Sequence, residues 1–230
     1  MESSVAESAA ESAAAPGVAP LDRIEARIVG SLIEKAAITP EAYPLTLNAL
    51  VAACNQKTSR EPIMNLEPGA IGHALRELEG RGLVRVAPAS QRVLRYEHRF
   101  DAVYGVTARQ RAVLGVLLLR GAQTLNELST RTDRLAEFPS LDDLRDTLER
   151  LIQREPALAV RIPRGPGQRE DRYMHLLCGA VDVDREAAIA ASAADAAPSS
   201  RADLSERIER LEDEVRALRD ELAELRGRSG

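Results

Sequence analysis

The 230-residue sequence has few aromatic residues, at 3%, and no tryptophan. Its interior must therefore be built from Leu, Val, Ile and Ala, which favours helices. Scarce aromatics also argue against single-stranded RNA or DNA as a ligand, because such recognition depends on stacking of bases on aromatic side chains. Only two cysteines are present, Cys54 and Cys178, and they have no metal-binding spacing. We therefore expect reduced thiols in a cytoplasmic protein, rather than a disulfide framework or a metal site.

The sequence also lacks the usual signals of export, membrane insertion and catalysis. Its first residues have neither an early basic region nor a continuous apolar core, so no signal peptide is predicted. No segment approaches the ~20 apolar residues that a membrane-spanning helix needs. There are three histidines, no glycine-rich phosphate loop and no arrangement of a nucleophile beside a base. We expect the protein not to be an enzyme and to carry no cofactor or metal.

The net charge of -5 is unevenly distributed along the chain. Residues 1–20 contain three acidic residues and no basic one, and residues 179–230 contain thirteen acidic and eight basic residues. The middle, 21–178, contains 23 basic and 20 acidic residues, a net charge of +3. A mildly basic centre permits binding to nucleic acid without requiring it.

The two ends of the chain differ in composition from the middle. Residues 1–20 are rich in Ala, Ser, Glu and Pro, which predicts a disordered tail, and residues 179–203 are an Ala-rich linker. Residues 204–226 follow a heptad pattern with apolar side chains at Leu204, Ile208, Leu211, Val215, Leu218, Leu222 and Leu225. This pattern favours a parallel dimeric coiled coil, so a homodimer through residues 204–225 is predicted. The alternative is an amphipathic helix that packs on its own chain.

The middle of the chain contains a repeat of roughly 75–85 residues. "RYEHRF" at 95–100 returns as "RYMHLL" at 172–177, and "LNAL" at 47–50 returns as "LNEL" at 125–128. "GSLIEK" at 30–35 resembles "GVLLLR" at 115–120, and all three similarities occur in the same order. His98 and His175 hold equivalent places in the two copies, which indicates a structural role for both. We predict two domains, 21–100 and 101–178, called the first and second repeat below.

Each repeat has the pattern of three helices followed by a β-hairpin. Asp22 with Glu25, and the pairs 107/110, 124/127 and 140/143, are capping-box helix starts. Alternating residues predict strands at 83–87 and 92–100, and again at 158–162 and 171–178. The predicted fold is mainly α with small β-hairpins, an α+β class, built from two tandem winged-helix domains plus a C-terminal coiled-coil helix.

The segments 26–66, 74–85 and 95–100, which read "ARIVGSLIEKAAITPEAYPLTLNALVAACNQKTSREPIMNL", "ALRELEGRGLVR" and "RYEHRF", closely resemble the YceH family. This is a family of bacterial proteins of unknown function. The resemblance covers roughly residues 21–178. It implies a tandem winged-helix fold and no established substrate, cofactor or activity.

Winged-helix domains commonly bind double-stranded DNA, and the connection before the third helix is the best candidate contact here. This connection offers charges and hydroxyl donors that suit phosphate oxygens. Our candidate nucleic-acid-binding residues are Lys57, Thr58, Ser59, Arg60, His73, Arg76 and Arg92. About four cations would give a shallow salt dependence, with a slope on the order of 3–4.

Two alternatives to DNA binding remain open at this point. In the first, Asn55 caps the second helix, Thr58 and Ser59 bond local backbone, and Arg60 pairs with an acidic residue. In the second, the winged helices form a protein-interaction scaffold that binds a protein partner and no DNA. Four acidic residues in the third helix of the second repeat disfavour its entry into a major groove and suit the positive end of a helix dipole instead.

Overall fold

Two copies of one element order make up the part of the chain that the computed structural model describes, residues 19–88, 93–165 and 168–183. The first repeat contains α1 (Arg23–Ile38), β1 (Leu45–Thr46), α2 (Leu47–Cys54), α3 (Pro68–Gly80), β2 (Val84–Val86) and β3 (Arg95–His98). After a short helix, α4 (Phe100–Tyr104), the second contains α5 (Ala108–Arg120), β4 (Gln123–Thr124), α6 (Leu125–Thr132), α7 (Leu141–Gln153), β5 (Ala159–Ile162) and β6 (Arg172–His175). The predicted α+β class is confirmed.

Each repeat closes with a three-stranded antiparallel sheet, in the orders β1-β3-β2 and β4-β6-β5. The hairpins β2–β3 and β5–β6 were predicted from alternation, whereas β1 and β4 were not. Both unpredicted strands have two residues, too few for a periodic pattern, and each leads directly into a helix. Three helices and a hairpin per repeat match the elements expected of winged helices, and that assignment stays a prediction.

Helix starts agree with the capping residues of the sequence. Full capping boxes form at Asp22, Thr107 and Thr124. Each of these side chains accepts a hydrogen bond from the backbone N–H of the third helical residue, and the side chain of that residue accepts one from the backbone N–H of the capping residue. Ser140 forms only half of a capping box. Its hydroxyl accepts a hydrogen bond from the backbone N–H of Asp143 at 3.1 Å, but the Asp143 carboxylate accepts one from that hydroxyl and not from the backbone N–H of Ser140.

Helices α1 and α5 lie at the centre and pack against each other. Residues 25–34 of α1 and 112–119 of α5 are all buried. Gly30 and Gly115 allow the close approach: a Cβ on Gly30 would lie 2.9 Å from Leu119 side-chain atoms, and one on Gly115 would lie 2.7 Å from Ile33 Cγ2. These glycines begin the matched segments "GSLIEK" and "GVLLLR", so the repeat brings equivalent residues to the contact between its two copies.

Apart from Gly165 and Gln168, the described residues of the two repeats belong to one compact unit. Backbone hydrogen bonds join them, from Leu21 N to Leu177 O and from Glu61 N to Leu119 O, each 2.8 Å. None of the helices described has the length and apolar content that crossing a membrane requires. Almost all of the predicted N-terminal tail, most of the predicted linker and the whole predicted coiled coil lie outside the described residues.

Candidate nucleic-acid interface

The polar connection between α2 and α3 is held in place by its own side chains. The Asn55 amide donates to Leu66 O at 2.9 Å, and its oxygen accepts the N–H of Leu66 at 2.8 Å. The two ends of the loop are therefore joined across eleven residues. Asn55 also ends α2 by donating its backbone N–H to Val51 O. This residue acts as a local structural group, as one of the alternatives proposed.

Arg60 lies in the interior, away from the surface where a phosphate would bind. Its side chain has 0% exposure and donates two hydrogen bonds, each 2.9 Å, to the carboxylate of Glu34. Its Nε also donates to Ala53 O at 3.0 Å. The assignment of Arg60 to phosphate contact is therefore corrected, because a buried guanidinium in a bidentate ion pair has no donor directed at solvent.

Arg27 of α1 is a second buried guanidinium under the same loop, with 2% exposure. It donates to Cys54 O at 3.0 Å and to Pro62 O at 2.6 Å. Burial lowers the pKa of Arg27, and the neighbouring charge of Arg60 lowers it further. Arg27 was not among the predicted site residues. One signal was available, since Arg27 and Glu34 stand seven residues apart and share a helix face with Ser31.

The tip of the loop is exposed. Lys57 and Thr58 face solvent, and Ser59 is half-buried. Ser59 has a φ of 61°, the only positive φ at a non-glycine among the described residues. Its carbonyl accepts a hydrogen bond from Arg60 at 2.8 Å. The buried Arg60 therefore anchors a tip at which Lys57 offers a cation and Thr58 a hydroxyl.

Helix α3 exposes a face that carries one arginine, one histidine and two glycines. At about 100° per residue, Gly69, His73, Arg76 and Gly80 lie within roughly 30° of the line opposite the buried residues. Glu77 and Glu79 lie at roughly 70–90° from that line, on either flank. Because these two glutamates lie on the flanks, they repel a phosphate on the outermost line less than they would if they lay on that line. His73 and Arg76 are both exposed.

The glycines of this face have no packing role among the described residues. A Cβ built on Gly69 or Gly80 meets nothing within 4 Å, and one on Gly72 meets only the Arg76 guanidinium, at 4.0 Å. Glycine inside a helix costs roughly 0.5–1 kcal/mol relative to alanine. At these three positions the α3 backbone carries no side chain that would hold a neighbouring molecule away.

Helix α7 of the second repeat exposes the opposite kind of face. By the same geometry its outermost residues are Asp142, Asp146, Glu149 and Gln153, and the basic residues lie on the flanks. The acidic residues of its first turn are Asp142 and Asp143. This charge distribution disfavours contact between α7 and phosphate.

The remaining candidate, Arg92, lies outside the described residues, as do the seven predicted dimerisation residues. Next to Arg92 in the sequence, Val93 and Leu94 are 58% and 55% exposed. Ile63 in the loop before α3 is 64% exposed. Across the described ranges, no group of three His, Cys, Asp or Glu side chains is placed to hold a metal ion.

The repeat-equivalent histidines both occupy the last position of a strand. His175 is buried, and burial lowers its pKa to about 4. Burial, followed by the charge of Arg111, lowers the pKa of His98 to about 4. His98 also donates its backbone N–H to the Tyr43 hydroxyl at 2.7 Å.

A family model described as "Protein of unknown function, DUF480" matches residues 21–168, well over half of the chain. The chain belongs to the DUF480 family. The matched region spans nearly all of both repeats, and the suspected membership of an uncharacterised bacterial family is thereby confirmed.

Curated relatives of this DUF480 protein are similar over nearly their full length. UPF0502 protein XAC4278 of Xanthomonas axonopodis pv. citri (strain 306) is 53% identical over 213 residues, 90% of this chain and 93% of the relative. UPF0502 protein Smlt0097 of Stenotrophomonas maltophilia (strain K279a) is 50% identical over 218 residues, with 94% and 99% covered. UPF0502 protein mll4256 of Mesorhizobium japonicum is 54% identical over 208 residues, with 90% and 97% covered. The names state no activity, ligand or partner.

Proposed function

We propose that this DUF480 protein binds double-stranded DNA with modest affinity, as a transcription-regulator-like protein. The first repeat faces the duplex with α3, and Lys57 contacts the adjacent phosphates. One observation carries the proposal: the outermost line of α3 holds Arg76 and His73 between glycines that leave room for close approach. Arg76 and His73 are the side chains of this face with donors for base edges or phosphates.

The expected affinity is low because few cations are available. Arg60 is withdrawn into the interior, so Lys57 and Arg76 remain as the exposed cations of the candidate set within the described residues. The two phosphate contacts of the first repeat contribute about -2 to the slope of log K against log salt for each chain. The predicted homodimer would double that slope.

Fluorescence anisotropy of a labelled duplex of mixed sequence tests the proposal, measured between ~50 and ~200 mM salt. The double variant Lys57→Gln/Arg76→Gln is expected to bind more weakly and to lose about 2 from the salt slope per chain. The matched control is Arg134→Gln/Arg150→Gln, which removes the same charge from two exposed positions of the second repeat. The affinity and the salt slope of the control are expected to fall much less.

Absence of binding by the unaltered protein at ~50 mM salt would contradict the proposal, because non-specific phosphate affinity is largest there. Equal losses of affinity in the variant and its control would also contradict the proposal. The affinity would then depend on the net charge of the protein and not on the position of the charges at α3 and its adjacent loop.

A second candidate function is a protein-interaction scaffold without DNA binding. It is supported by the exposed apolar side chains of Ile63, Val93 and Leu94 and by the acidic outer face of α7. In that case the glycines of α3 admit a partner helix instead of a duplex. Ile63→Ser separates the two functions, because loss of an apolar contact would weaken a protein complex and leave the salt slope on DNA unchanged.

A further inference from the structure

The β5–β6 hairpin carries a concentration of exposed positive charge in the second repeat. Arg161, Arg164 and Arg169 are all exposed. Arg161 stands opposite Tyr173 in the antiparallel pair, near the end of β5, and the other two follow on the arms beyond the strands. Three guanidinium groups are thus presented by one short hairpin.

The carboxylates beside these arginines are already engaged. Asp171 accepts the backbone N–H of Arg164 at 3.1 Å and lies 3.9 Å from the Nε of Arg161. Glu170 accepts from the Asn126 amide at 2.5 Å, which ties the hairpin to α6. Among the described residues, Asp171 is the one carboxylate within ion-pair distance of any of these arginines, and its partner is Arg161.

The two arms of the hairpin are also joined to each other. Arg164 donates from Nη1 to the carbonyl of Arg169 at 3.1 Å, across five residues. Side chains on a cross-linked hairpin lose less conformational freedom on binding than side chains on an open loop, so their charge is presented at lower entropic cost.

We propose that the second repeat contacts the phosphates of the same kind of duplex through Arg161, Arg164 and Arg169, and not through α7. This inference rests on the proposed function and extends it, since it makes the two repeats bind asymmetrically. The first repeat uses its third helix, whose outermost line holds a cation. The second uses its hairpin, because the outermost line of α7 is acidic and repels phosphate.

The test measures duplex binding by the full chain in a salt series, using the triple variant Arg161→Gln/Arg164→Gln/Arg169→Gln. Three lost phosphate contacts are expected to reduce the salt slope by about 2.7 per chain, and affinity falls accordingly. The single variant Arg169→Gln is expected to reduce it by about 0.9. The matched control, Arg23→Gln/Arg134→Gln/Arg150→Gln, removes the same charge from three exposed positions elsewhere.

The outcomes separate this inference from the proposed function. Duplex binding by the unaltered protein, together with an unchanged slope in the hairpin variants, overturns the hairpin inference and leaves the proposed function standing. Failure of the unaltered protein to bind at ~50 mM salt overturns both. A control that loses as much as the hairpin variant overturns the hairpin assignment alone. Thermal unfolding of each variant checks that the fold is retained, and Arg169→Gln decides the question if the triple variant unfolds.

Discussion

At the scale of single residues, the buried ion pair of Glu34 and Arg60 anchors the connection between α2 and α3. Burial acts to raise the pKa of Glu34, but the hydrogen bonds and charge of Arg60, with a smaller contribution from Lys35, hold it below its ordinary value. Arg27 is buried nearby, and the charge of Arg60 lowers its pKa, so the ion pair stands beside a second buried guanidinium. Removing that carboxylate would leave uncompensated charge in a low dielectric.

Glu34→Gln is therefore expected to lower the free energy of unfolding by about 3 kcal/mol, since breaking a buried pair leaves its partner charged and unpaired. Because the folded-state pKa of Glu34 is lowered, its contribution is complete above the ordinary glutamate pKa of about 4.3. That contribution is lost as pH falls through the folded-state value. Chemical denaturation at pH 7 and at acidic pH measures both effects.

The matched control is Glu97→Gln, which removes the partner of Arg85 on the surface hairpin of the first repeat. That arginine side chain is 51% exposed, so the loss should stay below about 1 kcal/mol. Equal losses at Glu34 and Glu97 would show that burial does not strengthen the Glu34–Arg60 pair.

At the scale of elements, the contact of α1 with α5 joins the repeats. Both helices are buried on nearly all sides, and Gly30 and Gly115 lie where the other helix comes closest. A methyl group at either position would overlap Leu119 or Ile33. Helix packing here depends on the absence of two side chains.

Gly30→Ala is expected to lower the free energy of unfolding by about 1–3 kcal/mol through overpacking, despite the better helix propensity of alanine. Gly115→Ala should behave alike, since its Cβ would be closer still to a neighbour. Gly72→Ala, in the middle of α3, is the control with the opposite sign. A Cβ there meets only the flexible end of Arg76, at 4.0 Å, so alanine should stabilise by about 0.5–1 kcal/mol in the same denaturation experiment.

At the scale of the whole molecule, one element order presents two different surfaces. The outermost line of α3 carries Arg76 between glycines, whereas that of α7 is acidic. The two copies share a core and differ in the charge they present to solvent. Under the proposed function, only the first repeat presents its third helix to the duplex.

The predicted coiled coil belongs to this scale as well, because it would set how many copies act together. A chain ending at Ser199 is expected to sediment as a monomer where the full chain sediments as a dimer, since truncation removes the apolar heptad positions. Identical sedimentation of the two chains would contradict the heptad prediction.

Much of the fold was predictable because its signals act over a few residues. Capping pairs such as Asp22 with Glu25 set helix starts, and period-two alternation set the hairpins. The repeat indicated the equivalence of Gly30 and Gly115. The candidate site was less predictable: Lys57 and Arg76 are exposed as expected, whereas Arg60 is not.

The sequence by itself determined the class, the two repeats and the helices, since local propensity and periodicity decide these. Only the tertiary structure decided which polar side chains meet water. The Arg60 side chain is buried in an ion pair with Glu34, 26 residues away in the sequence, and the backbone of its loop donates a hydrogen bond to α5 of the second repeat. No pattern within the loop specifies these partners, because burial depends on what the folded chain brings against each side chain.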